Sequence, residues 1–440
     1  MRLVLDLLRS ERRAAVFFAT LTQSALGTGA SYVALLLLAY ERFDSPLAIS
    51  LVLAADLLPA MLLGPFFGAA ADRFSRRTCV VVADVLRAGS FVGIALVDSY
   101  TATVLLAVVA GSGTGLFTPA ALAALPSLVN RERLPAATSL YGAIADLGFT
   151  LGPALAAVLL LVGGAETIMF VNGLTFAVSA LVLRALPFGE APRLEQRRGR
   201  RSLVADAIAG ARAARILKGL PTLLIASSFA MFFAGSFNVG ELLFAKNELG
   251  AGESGFSLLV ALFGVGFAAG SLAGARGGPL PHLKRRYLAG LLVMGAGFLA
   301  SGFAPGVVIA MVTFVVAGFG NGLVIVYERL LIQATVPDAL AGRVFGLKDA
   351  LTAWAFGLAF LAAAGLIEAI GVRGAIVFAG AGGLVAWAVA AVMLRSVWRT
   401  EEEGSDGRGP DGLGDGAVGE DRPDLVAGRN HWLALLDDLN

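Results

Sequence analysis

The chain has little charge, few histidines and almost no cysteine. Asp, Glu, Lys and Arg make up 15% of its 440 residues, whereas soluble domains carry about 25%. Hydrophobic residues reach 57% and mean hydropathy is +0.80, so lipid rather than water is the main solvent of this chain. One cysteine, Cys79, excludes an intrachain disulfide, and two histidines, His282 and His431, argue against a histidine-based metal centre. We therefore expect neither a metal nor a cofactor.

Motifs of catalysis and nucleotide binding are also absent from the sequence. The phosphate-binding pattern G-x-x-x-x-G-K-[ST] does not occur, and no Ser-His-Asp or zinc-ligand spacing is present. The net charge of +2 is small, and its positive and negative parts lie in different segments. The sequence predicts a protein that is not an enzyme, does not use ATP and has no nucleic-acid partner.

Apolar runs long enough to cross a bilayer, which takes about 20 residues, recur along the chain. We predict an all-α membrane protein with twelve transmembrane helices. The predicted spans are 14–39, 47–71, 78–98, 101–126, 139–163, 166–188, 220–245, 255–278, 287–304, 306–328, 344–369 and 372–396. Only Ala304, Pro305 and Gly306 separate the ninth span from the tenth, so this count requires a tight turn there.

Basic residues alternate between the connections of these spans. One set of connections carries most of the arginines and lysines, whereas the other set contains only Arg42, Lys246 and Arg373. Because cytoplasmic loops are enriched in basic residues, we expect a multi-pass protein of the inner or plasma membrane. Both termini are then cytoplasmic.

The chain also repeats itself. Residues 125–140 are similar to residues 332–347, about 207 positions later. We predict two six-helix pseudo-repeats, at 1–188 and 220–398. Between them, 189–219 is a basic cytoplasmic linker with an amphipathic helix that contacts anionic lipid. The acidic tail at 399–440 is expected to be largely disordered, and it either docks on the linker or remains solvated.

The segment GAAADRFSRR, residues 68–77, places four charges between two apolar runs. Hydrocarbon does not hold such a cluster, so it predicts a tight turn at one membrane face. Gly68 would let two helices approach closely, and Asp72 would face a helix N-terminus or a guanidinium. We predict that this segment stabilises one conformation and releases in another.

This pattern, G-x-x-x-D-R-x-x-R-R, resembles the loop motif of the major facilitator superfamily of transporters. The match covers Gly68, Asp72, Arg73, Arg76 and Arg77, and Ser75 stands where the family often has Gly. The resemblance implies a cytoplasmic loop that helps to hold the outward-facing state. It also implies two halves that rock about a site near the membrane midplane.

Two further motifs resemble parts of that superfamily. In GFTLGPALAA, residues 148–157, the residues Gly148, Gly152 and Pro153 resemble the antiporter motif and imply export, although Ala156 and Ala157 replace later glycines. The segment GLFTPAALAALPSLV, residues 115–129, resembles the sequences of the branch that contains macrolide-efflux proteins and the enterobactin exporter. Ala107 stands where many proton-coupled drug exporters have Arg.

Charged residues inside spans are candidates for function. Asp56 and Asp146 are the proton-coupling candidates, because burial favours the neutral form that a proton carrier needs; a hydrogen-bonded structural carboxyl is the alternative. Asp84 and Arg87, three residues apart, predict an ion pair that supports the charged loop, with a transport role as the alternative. The pairs Glu328–Arg329 and Lys348–Asp349 are expected at inner helix ends, as gate or surface pairs.

Single polar residues in several spans are candidates to line a central cavity. Glu241, near the outer face, either contacts a cationic substrate or faces water. Each of the other residues could instead tie two helices together. The candidates are Gln23, Tyr32, Tyr141, Asn172, Asn238, Glu241, Asn321 and Tyr327. With 28 Phe in the chain, such a cavity suits bulky amphipathic molecules better than sugars.

We therefore expect a secondary active transporter that exports amphipathic small molecules, such as a drug, an antibiotic or a siderophore. It would work by alternating access, with proton antiport, as a monomer among membrane lipids. Three alternatives stay open: an importer of a small polar nutrient, a lysolipid flippase, and a membrane scaffold or sensor that transports nothing.

Overall fold

The computed structural model describes residues 2–188, 217, 219–274 and 278–395. Most of the predicted linker at 189–219 and all of the predicted tail at 399–440 lie outside these residues. The predictions of an amphipathic helix, of tail disorder and of tail docking therefore also lie outside the described residues. Throughout the part that the structure describes, every regular element is a helix.

The first half begins with a short helix that the sequence did not predict, because it is too short to span a bilayer. Leu7 of this helix is fully buried, and Glu11 just beyond it accepts a hydrogen bond of 2.7 Å from Asn130 Nδ2. The helices of the first half are α1 (Arg2–Ser10), α2 (Arg12–Phe43), α3 (Pro46–Leu62), α4 (Gly64–Arg73), α5 (Arg76–Leu96), α6 (Tyr100–Leu128), α7 (Leu134–Leu159) and α8 (Ala165–Ala185).

The second predicted span is not one continuous helix. It divides at Leu63 into α3 and α4, so the expectation of an unbroken helix over 47–71 is wrong. The cause is local: Pro65 has no N–H to donate to the preceding turn, so the hydrogen bonds of α3 cannot continue through it. Pro65 instead occupies the first turn of α4, where a proline is tolerated.

The second half contains five helices. They are α9 (Leu220–Leu243, extended by a π-turn at Phe244–Glu248), α10 (Gly252–Gly274), α11 (Leu280–Gly302), α12 (Val307–Thr335) and α13 (Asp338–Met393). Inside α13, Gly371 has φ 74° and ψ 168°, a conformation that only glycine adopts readily. This residue divides α13 into a first arm, 338–370, and a second arm, 372–393. The turn at 303–306 between α11 and α12 is as tight as predicted.

Twelve helical segments can cross a bilayer. Nine helices of the described chain satisfy both length and composition for a span, and the fifty-residue stretch Val344–Met393 is one of them. Because Gly371 divides that stretch, it supplies two segments. The pair α3–α4 adds another, and α11, which carries Lys284, Arg285 and Arg286 in its first two turns, completes the twelve. The all-α membrane fold is therefore confirmed, and the described helices are consistent with twelve spans in two halves.

The connections alternate between two ends of the bundle. We call the end with the turns at 74–75, 129–133, 186–188, 278–279 and 336–337 the basic face. The other end, with the turns at 44–45, 97–99, 160–164, 249–251, 303–306 and Gly371, is called the opposite face.

The repeat is visible in how cations satisfy helix ends at the basic face. Arg77 at the start of α5 donates a hydrogen bond of 2.9 Å to the carbonyl oxygen of Leu186, just beyond α8. Lys284, 207 residues after Arg77, donates a bond of 2.9 Å to the carbonyl oxygen of Leu394, just beyond α13. Orphan carbonyls at helix C-termini favour cations, and each half satisfies one of them in the same way.

The opposite face carries a second pair of this kind. Arg42, at the end of α2, donates to the carbonyl oxygens of Ile94 and Val97 at 2.8 and 2.6 Å, at the end of α5. Arg373, at the start of the second arm of α13, donates to those of Gly302 and Ala304 at 2.9 and 3.0 Å, at the end of α11. Two of the basic residues predicted in these connections, Arg42 and Arg373, thus donate hydrogen bonds to carbonyl oxygens at helix C-termini.

Candidate functional site

Among the described residues, the most extensive contacts between the two halves are those of α7 with α10 and of α3 with α13. Thr150 of α7 lies directly against Gly264 of α10, and its Oγ1 is 3.3 Å from the Gly264 carbonyl oxygen. Nearby, the ring centroids of Phe149 and Phe267 are 6.0 Å apart. In the other helix pair, Leu58 of α3 packs over Gly357 of α13. These helices form the packed seam between the halves.

Polar contacts between the halves occur toward the opposite face, where α2 meets α9. Tyr32 donates a hydrogen bond of 3.0 Å from its hydroxyl to Glu241 Oε1. Two turns further along α2, Tyr40 donates to Asn247 Oδ1 at 3.1 Å. Lys246 Nζ lies 3.8 Å from Glu41 Oε1 and 4.8 Å from the centre of the Tyr40 ring. Among the described residues, these contacts join the halves on this side.

Glu241 is therefore part of the contact between the halves. Its side chain is only 5% exposed, so the alternative that it merely faces water is wrong for this conformation. The sequence placed both Tyr32 and Glu241 among the cavity candidates but offered no sign that they form a pair. They are 209 residues apart, and no local pattern links them.

The charged loop departs from the prediction at Gly68. A Cβ atom at this position would meet nothing within 4 Å, so Gly68 does not mediate a close helix contact here, and that expectation is wrong for this conformation. Ser75 caps α5 by accepting a hydrogen bond of 3.1 Å from the Thr78 N–H. Arg73 is exposed and Arg76 is half-buried. The Asp72 side chain lies outside what the structure describes.

Asp84 and Arg87 form a buried ion pair in the first half, where α5, α6 and α8 meet. Ser179 of α8 donates a second hydrogen bond to Asp84 Oδ2 at 2.5 Å. The guanidinium carbon of Arg87 lies 4.3 Å from the ring centre of Phe117 and 4.2 Å from that of Phe176. The faces of both rings therefore form cation–π contacts with the guanidinium. This geometry suits a structural pair.

The two proton-coupling candidates occupy different surroundings. Asp56 of α3 is half-buried, and within the described residues its carboxylate forms no hydrogen bond or ion pair. Asp146 of α7 is exposed and interacts electrostatically with Arg329 of α12, which belongs to the other half. The structure does not bring Asp56 and Asp146 together.

The glycines of the antiporter-like motif pack α7 against α2. A Cβ atom at Gly148 would come within 2.5 Å of the Ala25 carbonyl oxygen, and one at Gly152 within 2.5 Å of the Gly29 Cα. Such distances are too short for any side chain larger than hydrogen. Helix α7 continues through Pro153 to Leu159. The motif therefore packs α7 closely against α2. Thr150 of the same helix contacts α10 of the second half.

The remaining cavity candidates are spread over several places. Gln23 donates to the Thr175 carbonyl oxygen at 3.0 Å and so ties α2 to α8, whereas Asn172 accepts from Thr175 Oγ1 at 3.1 Å within α8 itself. Tyr327 lines a small cavity of about 150 Å³ with Arg286, between α10, α11 and α12. Tyr141, Asn238 and Asn321 are half-buried in their helices.

Glu328 was predicted to form a gate or surface pair with Arg329, but its surroundings are different. The side chain is 4% exposed, and its Oε1 is buried without a hydrogen-bond partner among the described residues. The hydroxyl of Tyr287 in α11 is likewise buried, and it interacts electrostatically with Glu328. Lys348 and Asp349 do pair with each other, at 3.3 Å. Sequence position at a helix end did not indicate this burial.

These twelve helices in two similar halves define a multi-pass membrane protein. The chain belongs to the Major Facilitator Superfamily, whose family model matches residues 15–347. It is therefore a membrane transporter that moves small molecules, and it is not an enzyme. The resemblance drawn from the loop motif is thereby confirmed.

Relatives place the chain among efflux proteins of this family. It is 28% identical over 373 residues to the multidrug efflux pump Tap of Mycobacterium tuberculosis, covering 81% of this chain and 87% of that protein. It is 23% identical over 346 residues to macrolide efflux protein A of Streptococcus pyogenes, covering 76% and 84%. The predicted efflux branch is confirmed at this level.

Among solved structures, the chain is similar to the nucleoside transporter NupG. The TM-score is 0.70 at 12% identity, and the match covers 87% of this chain and 99% of that one. At this identity the similarity concerns the fold alone.

Proposed function

We propose that the chain exports amphipathic small molecules by alternating access, with proton antiport. The proposal is carried by the contact between the halves: α2 and α9 meet toward the opposite face through Tyr32–Glu241 and Lys246–Glu41. A rocking transporter needs such a contact, one that closes a single side of the membrane while the other side is open. The names of the relatives, a multidrug efflux pump and a macrolide efflux protein, favour export over import.

The chain would work in the cell membrane with its basic face toward the cytoplasm. Supporting this orientation, the basic-face connections include the arginine-rich loop after α4 and the Lys284–Arg286 cluster, and basic segments stay on the cytoplasmic side. Both termini are then cytoplasmic. The protein would act as a monomer, and its basic linker at 189–219 would contact anionic lipid.

The cargo would be a drug, an antibiotic or a siderophore. Aromatic side chains are frequent on the helices of both halves, and the seam itself presents Phe149 and Phe267. Aromatic walls with few polar groups select bulky amphipathic molecules rather than sugars. The predicted cavity residues remain candidates for the few polar contacts.

Proton coupling would use Asp56 or Asp146. Asp56 supports this role because its half-buried carboxylate has no partner in the described structure. Asp146 supports it because it interacts electrostatically with Arg329 of the other half, so protonation of Asp146 would weaken an attraction between the halves. The loop Gly68–Arg77 would stabilise the state in which that face is closed.

The test is transport by the purified protein in proteoliposomes, in counterflow, with and without an imposed pH gradient. The compounds would include a macrolide, a catecholate siderophore, a lysophospholipid and a polar nutrient. Accumulation of the first or second, increased by the gradient, would support the proposal. Flux of the lysophospholipid alone would indicate a flippase, flux of the nutrient alone an importer, and no flux a protein that does not export these compounds.

A further inference from the structure

The hydrogen bond between Tyr32 and Glu241 joins a buried acid of one half to a neutral partner in the other half. Glu241 is 5% exposed, and its Oε1 lies 3.0 Å from the Tyr32 hydroxyl. Both residues lie in the part of the bundle near the opposite face, where α2 contacts α9. Separation of the two halves on this side would expose Glu241 to water.

Within the described part of the chain, no cation forms an ion pair with the Glu241 carboxyl. Lys246, five residues further along, is the obvious candidate on the same helix, but its Nζ lies 3.8 Å from Glu41 and 3.7 Å from Glu253. Among the described residues, the side chain that forms a hydrogen bond with Glu241 is that of Tyr32.

Among the described residues, no charged side chain on the helices packed against α9 forms a hydrogen bond or ion pair with Glu241. On α3 the charged side chain is Asp56, and on α12 they are Glu328 and Arg329, near the basic face. The described ones on α13 are Lys348, Asp349, Glu368 and Arg373. Arg373 pairs with Glu248 at 3.2 Å, Lys348 pairs with Asp349, and Glu368 is exposed.

An ionised carboxylate in such surroundings is strongly destabilised, whereas the neutral acid loses little on burial. The contact between α2 and α9 therefore suits a neutral Glu241. Once the halves separate and water enters, that restriction disappears and the ionised form becomes stable. Proton binding and closure of the opposite face are then linked, as any ligand is linked to the state that binds it better.

We propose that Glu241 is a proton-binding site of the transport cycle, and that a proton on it closes the opposite face. This inference rests on the proposed proton antiport and adds a third proton-binding group to Asp56 and Asp146. Loss of the proton toward the basic face would favour the state open at the opposite face, in which cargo leaves. Renewed protonation there would return the protein to the conformation described here.

The experiment measures the separation of the halves as a function of pH, with no substrate. Ser99, before α6, and Ser254, at the start of α10, lie on the opposite face in different halves. Ser99→Cys and Ser254→Cys would be introduced with Cys79→Ser and spin-labelled. Double electron–electron resonance in lipid nanodiscs would then give the distance distribution.

In the labelled parent, we expect the long-distance population to grow as the pH rises. Glu241→Gln, which is permanently neutral and keeps a hydrogen-bond acceptor, should hold the short distance at every pH. It should lower the open-to-closed ratio at alkaline pH by about tenfold or more. A matched control, Glu368→Gln, changes an exposed acid of α13 and should leave the titration unaltered.

Tyr32→Phe supplies an independent measurement if the glutamine variant does not fold. Loss of one hydrogen bond from the closed state should raise the open population at acidic pH by about 2- to 10-fold. The proposal is overturned by a parent without pH response, by an unchanged titration in Glu241→Gln, by an unchanged acidic population in Tyr32→Phe, or by loss of the response in Glu368→Gln. Failure of drug export in proteoliposomes, with the titration intact, would remove the proposed cargo but not the proton site.

Discussion

Gly264 provides a sharp test of how the two halves move. It lies in α10 where that helix touches Thr150 of α7, across the seam between the halves. A Cβ atom added at Gly264 would come within 2.8 Å of the Thr150 Cα and 3.3 Å of the Thr150 carbonyl oxygen. Ordinary contacts of a Cβ atom begin at 3.4 Å. Gly264→Ala therefore forces the two backbones apart by about half an ångström at a site with little freedom to adjust.

The expected size follows from the cost of overpacking, which is about 1–3 kcal/mol for an added methyl group in a packed contact. This cost applies only to the conformation in which α7 and α10 touch at this point. The ratio of the two conformations should therefore shift by about 5- to 150-fold toward the one with the opposite face open. The better helix propensity of alanine, about 1 kcal/mol, acts on both conformations and cancels.

The same spin-label pair, at positions 99 and 254, reports this shift as growth of the long-distance population. Gly365→Ala is the matched control, because it is the same substitution in an exposed part of α13 where a Cβ atom meets nothing within 4 Å. An unchanged distance distribution in a well-expressed Gly264→Ala protein, or an equal change in Gly365→Ala, would refute the view that this seam opens during the cycle.

Three further substitutions test single roles. Asp72→Asn should cut flux while leaving expression intact, and full transport activity would contradict the role of the charged loop. Asp56→Asn should lose accumulation driven by a pH gradient but keep exchange; an unaltered pH dependence would exclude Asp56 as the proton carrier. Asp84→Ala leaves the buried Arg87 guanidinium without its anion, which should cost about 3–5 kcal/mol and lower the melting temperature in detergent. An unchanged melting temperature, with Glu368→Ala as the exposed control, would show that the ion pair is not structural.

Much of the topology is readable from local sequence. Hydrocarbon forces each crossing to satisfy its own backbone hydrogen bonds, so an apolar run of sufficient length becomes a helix regardless of its neighbours. The same reasoning placed a turn at Ala304–Gly306 and a charged connection after α4. The division at Leu63 was missed although Pro65 signals it, because the surrounding run is uniformly apolar.

Residue pairing across the molecule was not readable in this way. Asp84 and Arg87 were recognised as a pair because one helical turn separates them, whereas Ser179, which completes their site, lies on another helix. The burial of Glu328 and the exposure of Asp146 depend on how the helices of each half turn toward their neighbours. The sites predicted for coupling and cargo therefore remain predictions.

Hydropathy and the placement of arginines by themselves determined that this chain is a helical membrane protein with a defined orientation. These properties belong to windows of about 20 residues and do not depend on the rest of the chain. Only the tertiary structure decided that Tyr32 meets Glu241 and that Thr150 meets Gly264, while Gly68 faces open space. Such contacts depend on the position of one half relative to the other, and that position is the variable that an alternating-access transporter changes.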